Sequence, residues 1–130
     1  MKILVLEDDP QRIAEFVREL GNKHDLIVCT SVRGFKDVYD IEELPDLVFL
    51  DHDLGGEAFV DQDHENCGMR IAELIVEQEN APPVIVIHSW NIDAARRMAC
   101  LLSKCDAIKH IALMQFGTFK IPEIFQLCSS

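Results

Sequence analysis

Three short apolar runs, each stopped abruptly by a polar residue, constrain this chain more than any other feature. Ile3–Leu6 stops at Glu7, Leu47–Leu50 at Asp51 and Val84–Ile87 at His88. None of them alternates polar with apolar residues. Strands that read this way are buried on both faces, which happens when crossover helices cover a parallel sheet.

The intervening segments supply those helices. Pro10 suits a first helical turn, and Ile13, Phe16, Val17 and Leu20 then share one face until Gly21–Asn22 ends the helix. Asp9, directly before Pro10, reads as its N-cap. Leu26–Val28 is a second short strand, after which Ser31 caps a helix carrying Val32, Phe35, Val38 and Tyr39. Gly68–Glu79 is helical through Met69, Ala72, Ile75 and Val76. Pro82–Pro83 introduces the strand Val84–Ile87, and Asn91 or Asp93 caps a helix using Ala94, Ala95, Met98, Leu101 and Leu102. Ala107–Leu113 reads as a fifth strand and Pro122–Leu127 as a short last helix. Five such units predict a single α/β domain over residues 1–130. Its core is one doubly wound, five-stranded parallel sheet ordered 2-1-3-4-5.

Composition narrows the partners. The formal net charge of −11 repels nucleic-acid backbones, so broad DNA or RNA binding is not expected. A small phosphorylated ligand or nucleotide stays open if a cation screens the local charge. The five cysteines show no CxxC or zinc-finger spacing and read as reduced thiols. No apolar stretch reaches membrane-spanning length and the N-terminus lacks a signal peptide, so a cytoplasmic protein without membrane contact is expected. A monomer and a weak dimer are both compatible with the sequence.

In an open parallel sheet, ligands bind beyond the carboxyl ends of the strands, where strand order reverses. Glu7-Asp8-Asp9, Asp51-His52-Asp53 and His88-Ser89 should therefore converge on one edge. Two carboxylates about 4 Å apart repel by roughly 4 kcal/mol at an intermediate dielectric, so such a cluster calls for a cation or shared protons. Glu7, Asp8 and Asp51 are the base of the expected metal site. Asp53 is a further ligand candidate because it shares a strand face with Asp51, whereas alternation points His52 away. Hard oxygen donors favour Mg²⁺ or Mn²⁺; imidazoles in the set would admit Zn²⁺ or Fe²⁺. In the long loop between His52 and Cys67, His64 is the candidate for one more ligand, while Glu57, Asp61 and Glu65 read as solvated acids.

With those residues in view, Ile3-Leu-Val-Leu-Glu-Asp-Asp-Pro10 and Asp46-Leu-Val-Phe-Leu-Asp51 resemble a response-regulator receiver domain, a flavodoxin-like fold. The resemblance implies that Glu7 and Asp8 hold Mg²⁺ and that Asp51 accepts a phosphoryl group, as in a phosphorelay. Two positions depart from it. His88-Ser89 stands where receivers have Ser or Thr, and Lys109 lies at the start of the fifth strand, whereas receivers carry a Lys at its end. Leu50-Asp-His-Asp-Leu-Gly-Gly56, Cys67-Gly-Met69 and Ile87-His-Ser-Trp-Asn91 resemble a divergent branch, the cyclic-phosphate-processing receiver domains.

That branch implies a metal-dependent phosphoesterase acting on cyclic or related phosphates. Asp51, His88 and His52 are then the catalytic candidates, with His88 moving the proton, and Ser89 and Asn91 are the phosphate-binding ones. Two alternatives stay open: a stand-alone receiver phosphorylated on Asp51, and a metal- or nucleotide-binding module without turnover. Trp90 could stack on a base or simply pack.

Overall fold

The structure, a computed structural model, describes residues 1–41, 43–54 and 64–114, together with Ile124 and Cys128. Five strands alternate with helices: β1 (Lys2–Leu6), α1 (Pro10–Leu20), β2 (Asp25–Cys29), α2 (Val32–Ile41), β3 (Leu47–Leu50), α3 (Gly68–Glu77), β4 (Val84–Ile87), α4 (Ile92–Leu102) and β5 (His110–Leu113). All pairings are parallel, in the order β2-β1-β3-β4-β5, so the doubly wound sheet is as expected. β5 begins three residues later than its apolar pattern suggests. Lys109 precedes it, giving its backbone N–H to Pro83. The expected last helix lies outside the described residues except for Ile124, as do Glu57 and Asp61.

The continuous apolar runs have a direct structural reason. Side chains alternate across the sheet, and both faces are covered. Leu4, Leu6, Val48, Leu50, Ile85 and Ile87 pack with Phe35, Ile71, Ile75, Met98 and Leu102 from α2, α3 and α4. Ile3, Val5, Leu47, Phe49, Val84 and Val86 pack with Phe16 and Leu20 of α1 and with Ile124. An alternating strand would put polar groups into one of these two cores.

Helix starts follow the capping signals. Asp9 is the N-cap of α1 and accepts a hydrogen bond from Arg12 N at 3.0 Å, with Pro10 in the first turn. Asn91, and not Asp93, caps α4, accepting from Ala94 N at 3.2 Å. Ser31 Oγ accepts from Gly34 N at the start of α2. All five cysteines are free thiols.

Candidate functional site

Strand register brings the site together. Cys29, Leu6, Leu50, Ile87 and Leu113 form one row across the sheet. The ladder continues one rung further: Glu7 N bonds Cys29 O (3.0 Å), Asp51 N bonds Leu6 O (3.1 Å), His88 N bonds Leu50 O (2.9 Å) and Met114 N bonds Ile87 O (2.8 Å). Glu7, Asp51 and His88 are therefore fixed by backbone pairing before any side-chain contact is made.

Glu7, Asp8 and Asp51 offer carboxylate oxygens that all lie within 4.8 Å of one another. Glu7 and Asp51 are buried, while Asp8 is half-buried and opens the cluster outward. Glu7 is held from every side. Its Oε2 accepts from Asp8 N (3.0 Å) and Asp9 N (3.1 Å), and its Oε1 lies 3.2 Å from His88 Nε2 and 3.0 Å from Arg12 Nε.

Burial alone would raise the pKa of Glu7, but the hydrogen bond and charge of His88, the Asp9 amide and Arg12 outweigh it and hold the carboxyl below its ordinary value. Asp51 is pushed up to about 8, by burial first and by the charge of Glu7 second, with Arg12 pulling in the other direction. The proton the buried pair needs therefore resides on Asp51. Asp51 Oδ2 makes no hydrogen bond among the described residues, only a 3.5 Å ion pair with Arg12.

A divalent cation fits this set. The donors are three hard carboxylates, one of them with an oxygen poorly satisfied and its charge suppressed by burial. Among the described residues, neither thiol nor imidazole belongs to the group, so it is an all-oxygen donor set.

The other candidates are arranged differently from their sequence expectations. Asp53 lies outside the three-acid group; its Oδ1 faces His52 Nδ1 at 2.9 Å and Asn91 Nδ2 at 3.4 Å. His52 is fully buried beside it, because the strand ends at Leu50 and the alternation that would separate the two residues lapses in the following bend. His64 is exposed and its Nδ1 accepts from Asn66 N, so it too lies outside the group.

His88 is completely buried beneath Glu7, with Phe16 5.2 Å and Phe49 6.2 Å away centroid to centroid, both edge-on. Burial lowers its pKa despite the raising effect of Glu7, and the ring braces Glu7 from below. Ser89 Oγ accepts from Asn91 N at 3.1 Å, and Asn91 is engaged in the α4 cap. Trp90 is 55% exposed at the same edge.

Arg12 escaped the sequence reading, and Gly68 entered it only as the start of a helix and within the Cys67-Gly-Met69 motif, without a role. Arg12 reaches from the first turn of α1 back to Glu7 and Asp51. The sequence offers only a weak signal for it, a cation in the first turn of a helix, where the dipole slightly disfavours it. Gly68 opens α3 against the end of β3, where a Cβ would collide with the Asp51 carbonyl oxygen and meet His52 Cα at 2.9 Å. Gly68 N donates to His52 O at 3.0 Å, and Asp53 and Cys67 form an antiparallel bridge. α3 thereby clamps the Asp51–Asp53 segment.

A two-faced 2-1-3-4-5 sheet with an acid cluster at its carboxyl edge is the arrangement of a receiver domain of the response-regulator type. Among solved structures, the chain superposes on the response regulator TrrA of Thermotoga maritima, determined in complex with Mg²⁺ and BeF, with a TM-score of 0.67 and 17% identity over 98% of this chain and 99% of that one. The BeF₃-activated receiver domain of Klebsiella pneumoniae RstA gives 0.66 and 20% identity, covering 100% of each chain. NtrX of Brucella abortus gives 0.63 and 20%, over 98% of this chain but 26% of NtrX, so the match there is to one part of a longer protein. No curated protein sequence matches significantly. Residues 2–104 match the family model for the cyclic-phosphate processing receiver domain, and the chain belongs to that family. No helix among the described residues is long and apolar enough to cross a membrane.

Proposed function

We propose that the chain is a cation-dependent phosphoryl acceptor whose acceptor is Asp51. The observation that carries this reading is the state of that carboxyl group. It is buried at the end of β3, poorly satisfied at Oδ2 and clustered with Glu7 and Asp8. Glu7, Asp8 and Asp51 would hold the divalent cation, which when bound supplies positive charge to the acids and to an incoming phosphoryl group. Holding the cation would release the Asp51 proton to solvent; in transfer from acetyl phosphate, the resulting carboxylate oxygen forms the new bond to phosphorus while the bond to the acetate oxygen breaks, and acetate leaves with the electron pair. Glu7 is kept ionised and oriented by His88 and by two backbone amides. The likeness to TrrA, solved with Mg²⁺ and BeF, supports the same reading. Calorimetric titration with fluoroberyllate in Mg²⁺ tests it. Stoichiometric binding that Asp51→Asn abolishes is expected, and no binding by the native chain would refute it.

A second reading, hydrolysis of a cyclic phosphate in the same pocket, draws support from the family description and from the His52–Asp53–Asn91 group beside Asp51. The role first expected of His88, moving a proton to or from a water, fits poorly with a ring buried under Glu7 and engaged by it. His52 is the other imidazole at this edge, equally buried but paired with Asp53 and not with Glu7. Turnover of 2′,3′-cyclic mononucleotides, lost in both Asp51→Asn and His52→Gln, would establish hydrolysis as the activity.

A further inference from the structure

We infer that Arg12 is the cation that grips the phosphoryl group on Asp51. This rests on the phosphoryl-acceptor reading and adds the residue that makes the product tolerable in so acidic a pocket. A phosphoryl group on Asp51 brings further negative oxygens within reach of Glu7 and Asp8, so it needs a positive partner beyond the cation those acids hold.

Among the described residues, the end of β5 carries Leu113 and Met114 and no cation, and Lys109 lies at the opposite end of that strand. Arg12 is already in place. Its Nε lies 3.0 Å from Glu7 Oε1 and 3.7 Å from Asp9 Oδ2, while a terminal nitrogen lies 3.5 Å from Asp51 Oδ2, the oxygen without a hydrogen bond. The side chain is 21% exposed, so it borders the solvent from which a phosphoryl donor must arrive. The planar guanidinium presents several N–H donors at once, which suits tetrahedral phosphoryl oxygens better than a single carboxylate.

Arg12 also occupies a costly position. It is in the first turn of α1, where the helix dipole disfavours a cation and the N-cap Asp9, 3.7 Å away, offsets only part of that cost. From this turn the side chain reaches both Glu7 and Asp51 at the strand ends.

The rival cation is Arg96 of α4, which lines a cavity of about 210 Å³ with Ser89, Leu113 and Met114. No ion pair connects it to the acid cluster among those described.

Opposite responses to two probes separate this role from a structural one. Taking a positive charge out of the pocket should tighten Mg²⁺, by up to about tenfold, because the acids lose a competing cation. The same change should weaken fluoroberyllate, measured at saturating Mg²⁺, by roughly tenfold or more. Arg12→Gln is expected to show both effects with an unfolding midpoint close to the native one. Arg12→Lys should recover part of the fluoroberyllate affinity, since it restores charge without the planar fork. Arg96→Gln should leave both affinities unchanged.

If Arg12→Gln tightens Mg²⁺ yet binds fluoroberyllate as the native chain does, Arg12 is only a counter-ion and the inference is wrong. If both affinities fall together, its role is to hold the pocket's shape, and the inference is again wrong. A native chain that binds no fluoroberyllate at all overturns the acceptor reading along with it.

Discussion

Asp51→Asn should make the metal-free protein more stable, and the gain should depend on pH. The carboxyl of Asp51 is pushed up to about 8 in the folded chain, by burial first and then by Glu7. A folded-state pKa raised above the unfolded value gives a stabilising contribution that is complete below about pH 4 and is lost as pH rises towards 8. At about 1.4 kcal/mol per unit, the loss approaches roughly 6 kcal/mol when the whole shift is assigned to this one group. The lowered Glu7 offsets part of this, and the Asn variant gives up the 3.5 Å ion pair with Arg12, so a net gain of about 1–3 kcal/mol near pH 7.5 is the realistic figure. Urea unfolding in EDTA across pH 4–8 measures it. The two curves should converge at the acid end and separate as pH rises. Excess Mg²⁺ should close the gap by stabilising only the native chain. An Asp51→Asn protein that is less stable at pH 7.5, or more stable by the same amount at every pH, would refute the claim that folding buries an unfavourable charge here.

Other parts of the site make separate predictions. His88→Ala leaves Glu7 without its buried partner and opens a cavity beside Phe16 and Phe49, so it should cost about 2–4 kcal/mol in chemical denaturation. Gly68→Ala forces a Cβ into the Asp51 carbonyl; it should cost about 1–3 kcal/mol and weaken Mg²⁺ in calorimetry by displacing Asp51. Asp9→Ala should lower stability by about 1 kcal/mol through the lost cap while leaving Mg²⁺ affinity close to native, which separates Asp9 from its neighbour Asp8.

Much of this architecture is legible in the sequence because the governing signals are local. The runs Ile3–Leu6, Leu47–Leu50 and Val84–Ile87 state that both faces of their strands are covered, and register then delivers Glu7, Asp51 and His88 to one edge. Asp9 announces itself as a cap, and Asn91 is one of the two candidates offered for α4. What periodicity could not supply was direction beyond the strand ends. Asp53 and His52 sit in a bend where alternation no longer holds, and they turn towards each other and Asn91. His88 reads as a reactive imidazole at a strand end, whereas α1 and β3 bring Phe16 and Phe49 over it. Arg12 and Gly68 depend on how α1 and α3 dock on the sheet, a tertiary fact that no spacing within either helix encodes.

The central claim is that Asp51 accepts a phosphoryl group in a cation-holding acid pocket. Incubation with acetyl phosphate and Mg²⁺, followed by intact-mass measurement and peptide mapping, tests it most directly. One added phosphoryl group located on Asp51, absent in EDTA and absent in Asp51→Asn, is the predicted result. A chain that binds Mg²⁺ yet remains unmodified, or one modified equally well in Asp51→Asn, would contradict it.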